Sequence, residues 1–255
     1  MKIKLVKVLN KIVSWYSGGV TSAVATKMVI EQYGKNNVEA IFFETGNHHP
    51  DNKRFFIECE KWFDIPITVL QDENHSSIYS VFEKRRFINS PFGAPCTLVL
   101  KKQMRQKWEK ENTFSSQVFG FENEPKEINR SLRFTREYPH TNAIFPLIEA
   151  EIDKKMALDI LEENGIEPPM MYQLGYSNNN CIGCVKGGMG YWNKIRVDFP
   201  EVFERTARLE REIGASCIRN QYLDELEPSR GRMSKPYVQS CGIFCEPEGV
   251  TLDDA

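Results

Sequence analysis

Apolar positions in the first two thirds of the chain alternate between short β-rich runs and stretches of helical period. Ile12 to Tyr16 reads as a buried strand, Ser17-Gly18-Gly19 as a tight turn, and Thr21 to Tyr33 as a helix with Val24, Met28 and Ile30 on its apolar face. The same alternation returns with a strand over Val38 to Phe43, a helix over Asp51 to Phe63 and a strand over Ile65 to Leu70. A helix follows from Cys96 to Glu111, then short strands at Gln117 to Phe121 and Ala143 to Phe145, and a helix at Lys154 to Glu163 stopped by Asn164-Gly165. Strands alternating with helices predict an α/β fold with a doubly wound, mostly parallel sheet.

From Gly175 the pattern breaks. Asn178-Asn179-Asn180, Gly183, Gly187-Gly188 and Gly190 predict irregular backbone before an amphipathic helix from about Val202 to Ile213. The last segment, with Pro228, Gly231, Pro236, Gly242 and Pro247, has the aperiodic pattern of a mobile tail. The expected division is therefore a nucleotide-binding α/β domain over 1–175 and a cysteine-bearing, irregular and helical extension over 176–255. No internal repeat is visible.

Composition narrows the classes. The 255 residues carry 33 Lys and Arg against 35 Asp and Glu, so no overall basic field draws the chain to nucleic acid or to an acidic membrane. The N-terminal Met1-Lys-Ile-Lys-Leu-Val-Lys7 lacks a signal peptide's apolar run, and no later run would span a bilayer, which predicts a cytoplasmic protein. Seven cysteines in such a compartment are ligands, nucleophiles or core residues rather than structural disulfides. Cys59 sits in a helical apolar pattern and reads as core, while Cys217 reads as core or ligand.

The chemistry starts at Ser17-Gly18-Gly19-Val20-Thr21-Ser22. A glycine turn between a strand and a helix aims backbone N–H groups at an anion, and the hydroxyls of Ser17, Thr21 and Ser22 add donors. The plainer reading is a glycine turn with Thr21 or Ser22 as a helix cap. It is not a Walker loop, because the Gly-Lys-Ser/Thr ending is absent.

Four segments in order carry a family resemblance. The loop resembles the Ser-Gly-Gly-x-Asp-Ser signature of the PP-loop, adenine nucleotide alpha hydrolase-like superfamily. Glu44-Thr45-Gly46-Asn47-His48-His49-Pro50-Asp51 resembles the Asp-Thr-Gly-x-x-x-Pro-Glu segment of phosphoadenylyl-sulfate (PAPS) reductases. Cys96-Thr-Leu-Val-Leu-Lys101 is similar to their Cys-Cys-x-x-Arg/Leu-Lys segment, and Tyr172 to Cys184 is similar to the segment that ends in their C-x-x-C. The likeness covers roughly Ile12 to Gly188. Thr21 stands where ATP-hydrolysing members have Asp, and Glu44 replaces Asp.

That resemblance implies an adenine nucleotide at Ser17, Gly18, Gly19, Thr21 and Ser22, with Glu44, Thr45, Gly46 and Lys101 lining the same site and Arg130 or Arg133 supplying further cations. Lys186, Lys194 and Arg196 are weaker candidates. His48 and His49 fall in the matched loop, whereas His75 and His140 read as surface residues. For Cys181 and Cys184 the readings are metal ligands, a redox dithiol or coincidence, with the surrounding Asn- and Gly-rich loop favouring ligands. The resemblance implies a [4Fe-4S] cluster held by Cys96, Cys181 and Cys184, with zinc as the alternative metal. Thr97 occupies the position of the family's second adjacent cysteine, leaving the fourth ligand to Cys245, Cys241 or Cys217, or the fourth iron open to substrate or sulfide. Ser240-Cys241-Gly242-Ile243-Phe244 resembles the family's C-terminal Glu-Cys-Gly-Ile/Leu-His, whose cysteine attacks the sulfur of the substrate; Cys241 with Cys245 could instead complete the metal site.

The function so implied is thiol-dependent reduction of PAPS or adenylyl sulfate to sulfite, with thioredoxin or glutaredoxin as reductant and no membrane partner. The alternative is an ATP-dependent iron–sulfur sulfurtransferase acting on tRNA or DNA, the one reading that requires nucleic acid, and a third is a nucleotide sensor without catalysis. A homo-oligomer is compatible with either enzyme.

Overall fold

The computed structural model of the chain describes residues 11–90 and 93–238. They form two compact units. The first comprises the described residues of Met1–Phe42, Arg54–Val69 and Glu109–Glu167, the second those of Phe43–Lys53, Leu70–Trp108 and Pro168–Ala255. The two units are interleaved along the chain.

The parallel sheet organises the first unit. Its strands are β1 (Ile12–Trp15), β2 (Val38–Glu44), β3 (Ile67–Gln71), β4 (Ser116–Val118) and β5 (Ala143–Ile144), in the order β3-β2-β1-β4-β5. β1 pairs in parallel with β2, Ile12 opposite Val38 and Trp15 opposite Ile41, and with β4, Ile12 opposite Ser116; β4 pairs in parallel with β5. All four residues of β1 are buried, as a central parallel strand requires. Its one hydroxyl, Ser14, is satisfied by Thr26 at 2.8 Å, and Trp15 donates its indole N–H to Gln117 Oε1 at 2.8 Å. The helix Val20–Tyr33 packs on β1 and against the helices Pro146–Glu149 and Lys154–Glu163. Tyr16 meets the rings of Phe42, Phe55 and Phe63 in the core.

One strand boundary shifts for a physical reason. β4 ends at Val118 instead of continuing to Phe121, because Gly120 is drawn against the start of the Val20–Tyr33 helix. A helix at Pro125–Glu137, which the hydrophobic pattern does not announce, begins with proline in its first turn, where the missing N–H costs nothing. Cys59 is fully buried in the helix Asn52–Phe63, and burial pushes its thiol up to about 12, as expected of a core residue.

The second unit is helical. Ile78–Arg85 opens with a capping box of Ser77 and Ser80. Pro95–Thr97 runs through a π-helical turn, Leu98–Gln103, into Met104–Glu111. Met189–Asp198 and Pro200–Ile213 pack on each other. A single apolar cluster, with Tyr79, Phe82, Leu100, Trp192, Ile195 and Phe203 at its centre, holds these helices together. The helix Met189–Asp198 contains Gly190 because the backbone of Arg232 lies 2.5 Å from where a Cβ would project. Glu210 is fully buried and accepts the backbone N–H groups of Cys217 at 2.5 Å and Leu223 at 2.7 Å, pinning the following loop.

Candidate functional site

In an open parallel sheet, ligands bind beyond the carboxyl ends of the strands where the strand order reverses. Here the order reverses at β1, flanked by β2 on one side and β4 on the other. Ser17-Gly18-Gly19 leaves the carboxyl end of β1, and Phe119-Gly120 that of β4. Gly18 has φ 78°, a left-handed turn that glycine adopts without strain, and Gly19 caps the helix in extended conformation without a side-chain bond to the first turn. The Ser22 hydroxyl staples the loop: it accepts from the Ser17 N–H and hydroxyl, both at 3.0 Å, and donates to the Gly19 carbonyl at 2.9 Å. Ser22 is buried, Thr21 half-buried and Ser17 exposed; the Ser17 hydroxyl donates to Ser22, so the staple uses two of the three hydroxyls and Thr21 takes no part in it. Gly120 completes the arrangement, since a Cβ there would lie 2.5 Å from Ser22 Cα. The contact fixes the β4 end of the sheet against the first turn of the Val20–Tyr33 helix.

Arg130 and Arg133 lie on the helix Pro125–Glu137 of the same unit. Arg130 stacks over Phe121 at 4.5 Å and bonds Glu127 at 3.1 Å, so its charge is balanced within its own helix. Arg133 is half-buried.

The second unit gathers the acidic-loop and C-x-x-C segments. Glu44 accepts from the Gly46 N–H at 2.7 Å. Gly46 has φ 71°, and a Cβ on it would fall 2.0 Å from the Ser76 carbonyl oxygen. The Thr45 hydroxyl is 3.0 Å from both His48 Nε2 and Cys181 Sγ. Asn47 continues the link, its carbonyl accepting from the Ile182 N–H at 2.8 Å and its side chain from the Ile78 N–H at 3.0 Å. Burial lowers the His48 imidazole to about 4, assisted by Lys101 and opposed by Glu44. His48 is therefore neutral at pH 7 and lies within electrostatic reach of Lys101. His49 packs its ring edgewise on Phe199.

Tyr191 closes the C-x-x-C loop. Its hydroxyl accepts the Cys184 N–H at 2.8 Å and donates to the Cys181 carbonyl at 3.3 Å. Gly187 is required by that ring, which lies 1.9 Å from a hypothetical Cβ. Cys181 and Cys184 are buried in the apolar cluster, and half-buried Cys96 packs against it from Pro95–Thr97. Cys217 shares the cluster; burial first, then Glu210, raise its thiol well above the ordinary value. Asn89 bridges the carbonyls of Val185 and Cys217. The five described cysteines are thiols, and among the described residues no group of three or more His, Cys, Asp or Glu side chains is gathered to hold a metal ion. Cys184 and Cys96 also raise the Cys217 thiol, so both lie within electrostatic reach of Cys217 at the same apolar cluster. Cys241 and Cys245 lie outside the described residues.

Other expectations resolve into structure. Lys194 bonds Asp198 at 2.9 Å and lies over Tyr176, and Arg196 donates to the Leu223 and Leu226 carbonyls while stacking on Phe203. Both serve packing. His75, expected at the surface, is 9% exposed and sits 2.6 Å from Asp72, while His140 is exposed as expected. Thr45 was legible in the sequence through its motif; Tyr191, Asn47 and Asn89 were not, because nothing local marks a hydroxyl or amide that acts across the fold. Among the described residues no helix is long and apolar enough to cross a membrane.

Known proteins add to this geometry. The chain is 24% identical over 225 residues to an uncharacterized protein of Methanocaldococcus jannaschii, an alignment that takes in 81% of this chain and 42% of that protein, so the chain spans less than half the length of this relative. A crystal structure of phosphoadenylyl-sulfate (PAPS) reductase from Candida auris in a phosphate complex is similar over 70% of this chain and 84% of that one, with 15% identity and a TM-score of 0.49. Residues 11–187 match the model of the phosphoadenosine phosphosulfate reductase domain, and the chain belongs to that family.

Proposed function

We propose that the protein reduces PAPS or adenylyl sulfate to sulfite at the expense of a thiol. The observation that carries this reading is the Ser17–Ser22 loop at the point of strand-order reversal, stapled by Ser22 and closed by Gly120, whose helix N-terminus and Thr21 hydroxyl suit the phosphates of an adenine nucleotide. Thr21 in place of an acidic residue favours a phosphate or sulfate oxygen directly. Family membership supports the same class of substrate.

In the proposed reaction the Cys241 thiolate attacks the sulfur of the sulfate ester. The S–O bond to the nucleotide breaks, its electrons leave with the phosphate oxygen, and Cys241 carries an S-sulfonate. A thiolate of thioredoxin or glutaredoxin then attacks the Cys241 sulfur, and sulfite departs with the S–S electron pair. The reductant's second thiol resolves the mixed disulfide, so its dithiol becomes a disulfide and two electrons reach sulfite. Nothing in this sequence is routed through a metal.

Incubation of the whole chain with each nucleotide and either reductant, followed by sulfite analysis, tests the proposal. Sulfite from the wild type and none from Cys241→Ser is the expected result, with a nucleotide-linked loss of the Cys241 thiol in the absence of reductant. Pyrophosphate release from ATP with neither sulfate ester consumed would overturn it.

A further inference from the structure

Beside Cys96 the second unit opens a cleft of about 360 Å³, lined by Arg85, Phe87, Gly93, Pro95, Leu98 and Lys102 among others. Two of its apolar residues stand in solvent, Phe87 at 39% exposure and Leu98 at 40%. Its charged lining residues, Arg85 and Lys102, are both cations and come from different helical segments. Lys84 and Arg86 extend the positive run on either side of Arg85, all three exposed.

The chain as a whole is slightly acidic, so this concentration is local. Cations at the end of the helix Ile78–Arg85 are favoured by its dipole, which accounts for Lys84 and Arg85 but not for Lys102 across the cleft. Arg86 caps that helix with φ 52°, a left-handed position where glycine would be unstrained. Its side chain donates to the Glu212 carbonyl, a partner without net charge, so with exposed Glu83 just before it the run Lys84-Arg85-Arg86 keeps an excess of positive charge. The left-handed turn delivers Phe87 to the cleft.

We propose that this cleft binds an unpaired nucleotide of a single-stranded nucleic acid, its base against Phe87 and its flanking phosphates at Arg85 and Lys102. A partly exposed aromatic ring in a cleft that also carries two cations is the kind of arrangement that holds single strands by stacking and charge without reading sequence. Three consecutive exposed cations match a polymer with one charge on every unit better than an acidic peptide, whose side chains offer no planar face to Phe87. The inference is independent of the reductase reading, since the cleft shares no residue with Ser17–Ser22.

The experiment titrates the full chain into fluorescein-labelled twelve-nucleotide single strands of RNA and DNA, with the matching duplex, ATP and polyglutamate as competitors, and reads anisotropy. Single strands should bind, and ATP and polyglutamate should fail to displace them. Phe87→Ala should weaken binding about tenfold and Phe87→Trp should restore it. Arg85→Gln with Lys102→Gln should flatten the dependence of log affinity on log salt by about 0.7 for each cation removed. A cooperative thermal transition at an unchanged midpoint certifies the fold of each variant; if Phe87→Ala does not fold, Phe87→Trp and the cation pair still decide. No binding of single strands, equal displacement by ATP or polyglutamate, or affinity indifferent to both sets of variants would overturn the proposal.

Discussion

Gly46 and Gly165 look alike in sequence, each a glycine beside an asparagine, and both adopt positive φ, 71° and 69°. Their surroundings differ. A Cβ at Gly46 would meet the Ser76 carbonyl oxygen at 2.0 Å, whereas one at Gly165 would meet nothing within 4 Å. Gly165→Ala should therefore cost only the left-handed strain, about 1 kcal/mol, and Gly46→Ala about 3 kcal/mol or more as backbone is forced apart. Urea midpoints at unchanged slope would measure the difference. His48 supplies a second prediction at this scale. Its folded-state value of about 4 lies below the ordinary 6.5 chiefly through burial, so its contribution is complete above pH 6.5 and is lost as the pH falls toward 4. The loss should approach about 3 kcal/mol, and His48→Gln should remove that part of the pH dependence of unfolding between pH 7 and 4.5.

At the scale of elements, the helix Lys154–Glu163 was legible to the residue, because Asp153 accepts from the Met156 N–H at its start and Asn164-Gly165 stops it. The β1 strand and the phosphate loop were legible because an apolar run followed by glycines has few other solutions. Met189–Asp198 was not. Its glycines are needed by packing, Gly190 by the distant Arg232 backbone and, just before the helix, Gly187 by the Tyr191 ring one turn on, so their local meaning as breakers misleads. The C-x-x-C loop shows the same limit: its motif marked the place, but the closing hydroxyl of Tyr191 lies in that unannounced helix. Tyr191→Phe removes the acceptor of the Cys184 N–H inside the core and should cost about 1–3 kcal/mol. The thiols of Cys181 and Cys184 should react faster with a thiol reagent under native conditions in this variant, while Cys59, buried in the other unit, keeps its rate.

At the scale of the whole molecule, the interleaved units make ligand linkage a test of the site. Anion binding at Ser17–Ser22 draws on the native sheet, since the loop exists only where β1, β4 and the Val20–Tyr33 helix meet. A ligand that binds only the folded form stabilises it by about 2.7 kcal/mol at a hundredfold excess over its dissociation constant. For a chain of this length that raises the unfolding temperature by about 5 °C. Adenosine 3′,5′-bisphosphate, the nucleotide left after PAPS loses its sulfur, is the ligand to use, with adenosine as the control that lacks phosphate. The bisphosphate should shift the transition and adenosine should not, because the loop offers a helix N-terminus and the Thr21 hydroxyl to an anion rather than a pocket to a base. Gly120→Ala should abolish the shift, since a methyl at that position displaces Ser22 and unbuilds the loop, whereas Gly165→Ala in the same unit should keep it. Should the two units melt in separate transitions, only the one containing β1 should move. A bisphosphate shift retained in Gly120→Ala would place the anion elsewhere and remove the observation on which the proposed reaction rests.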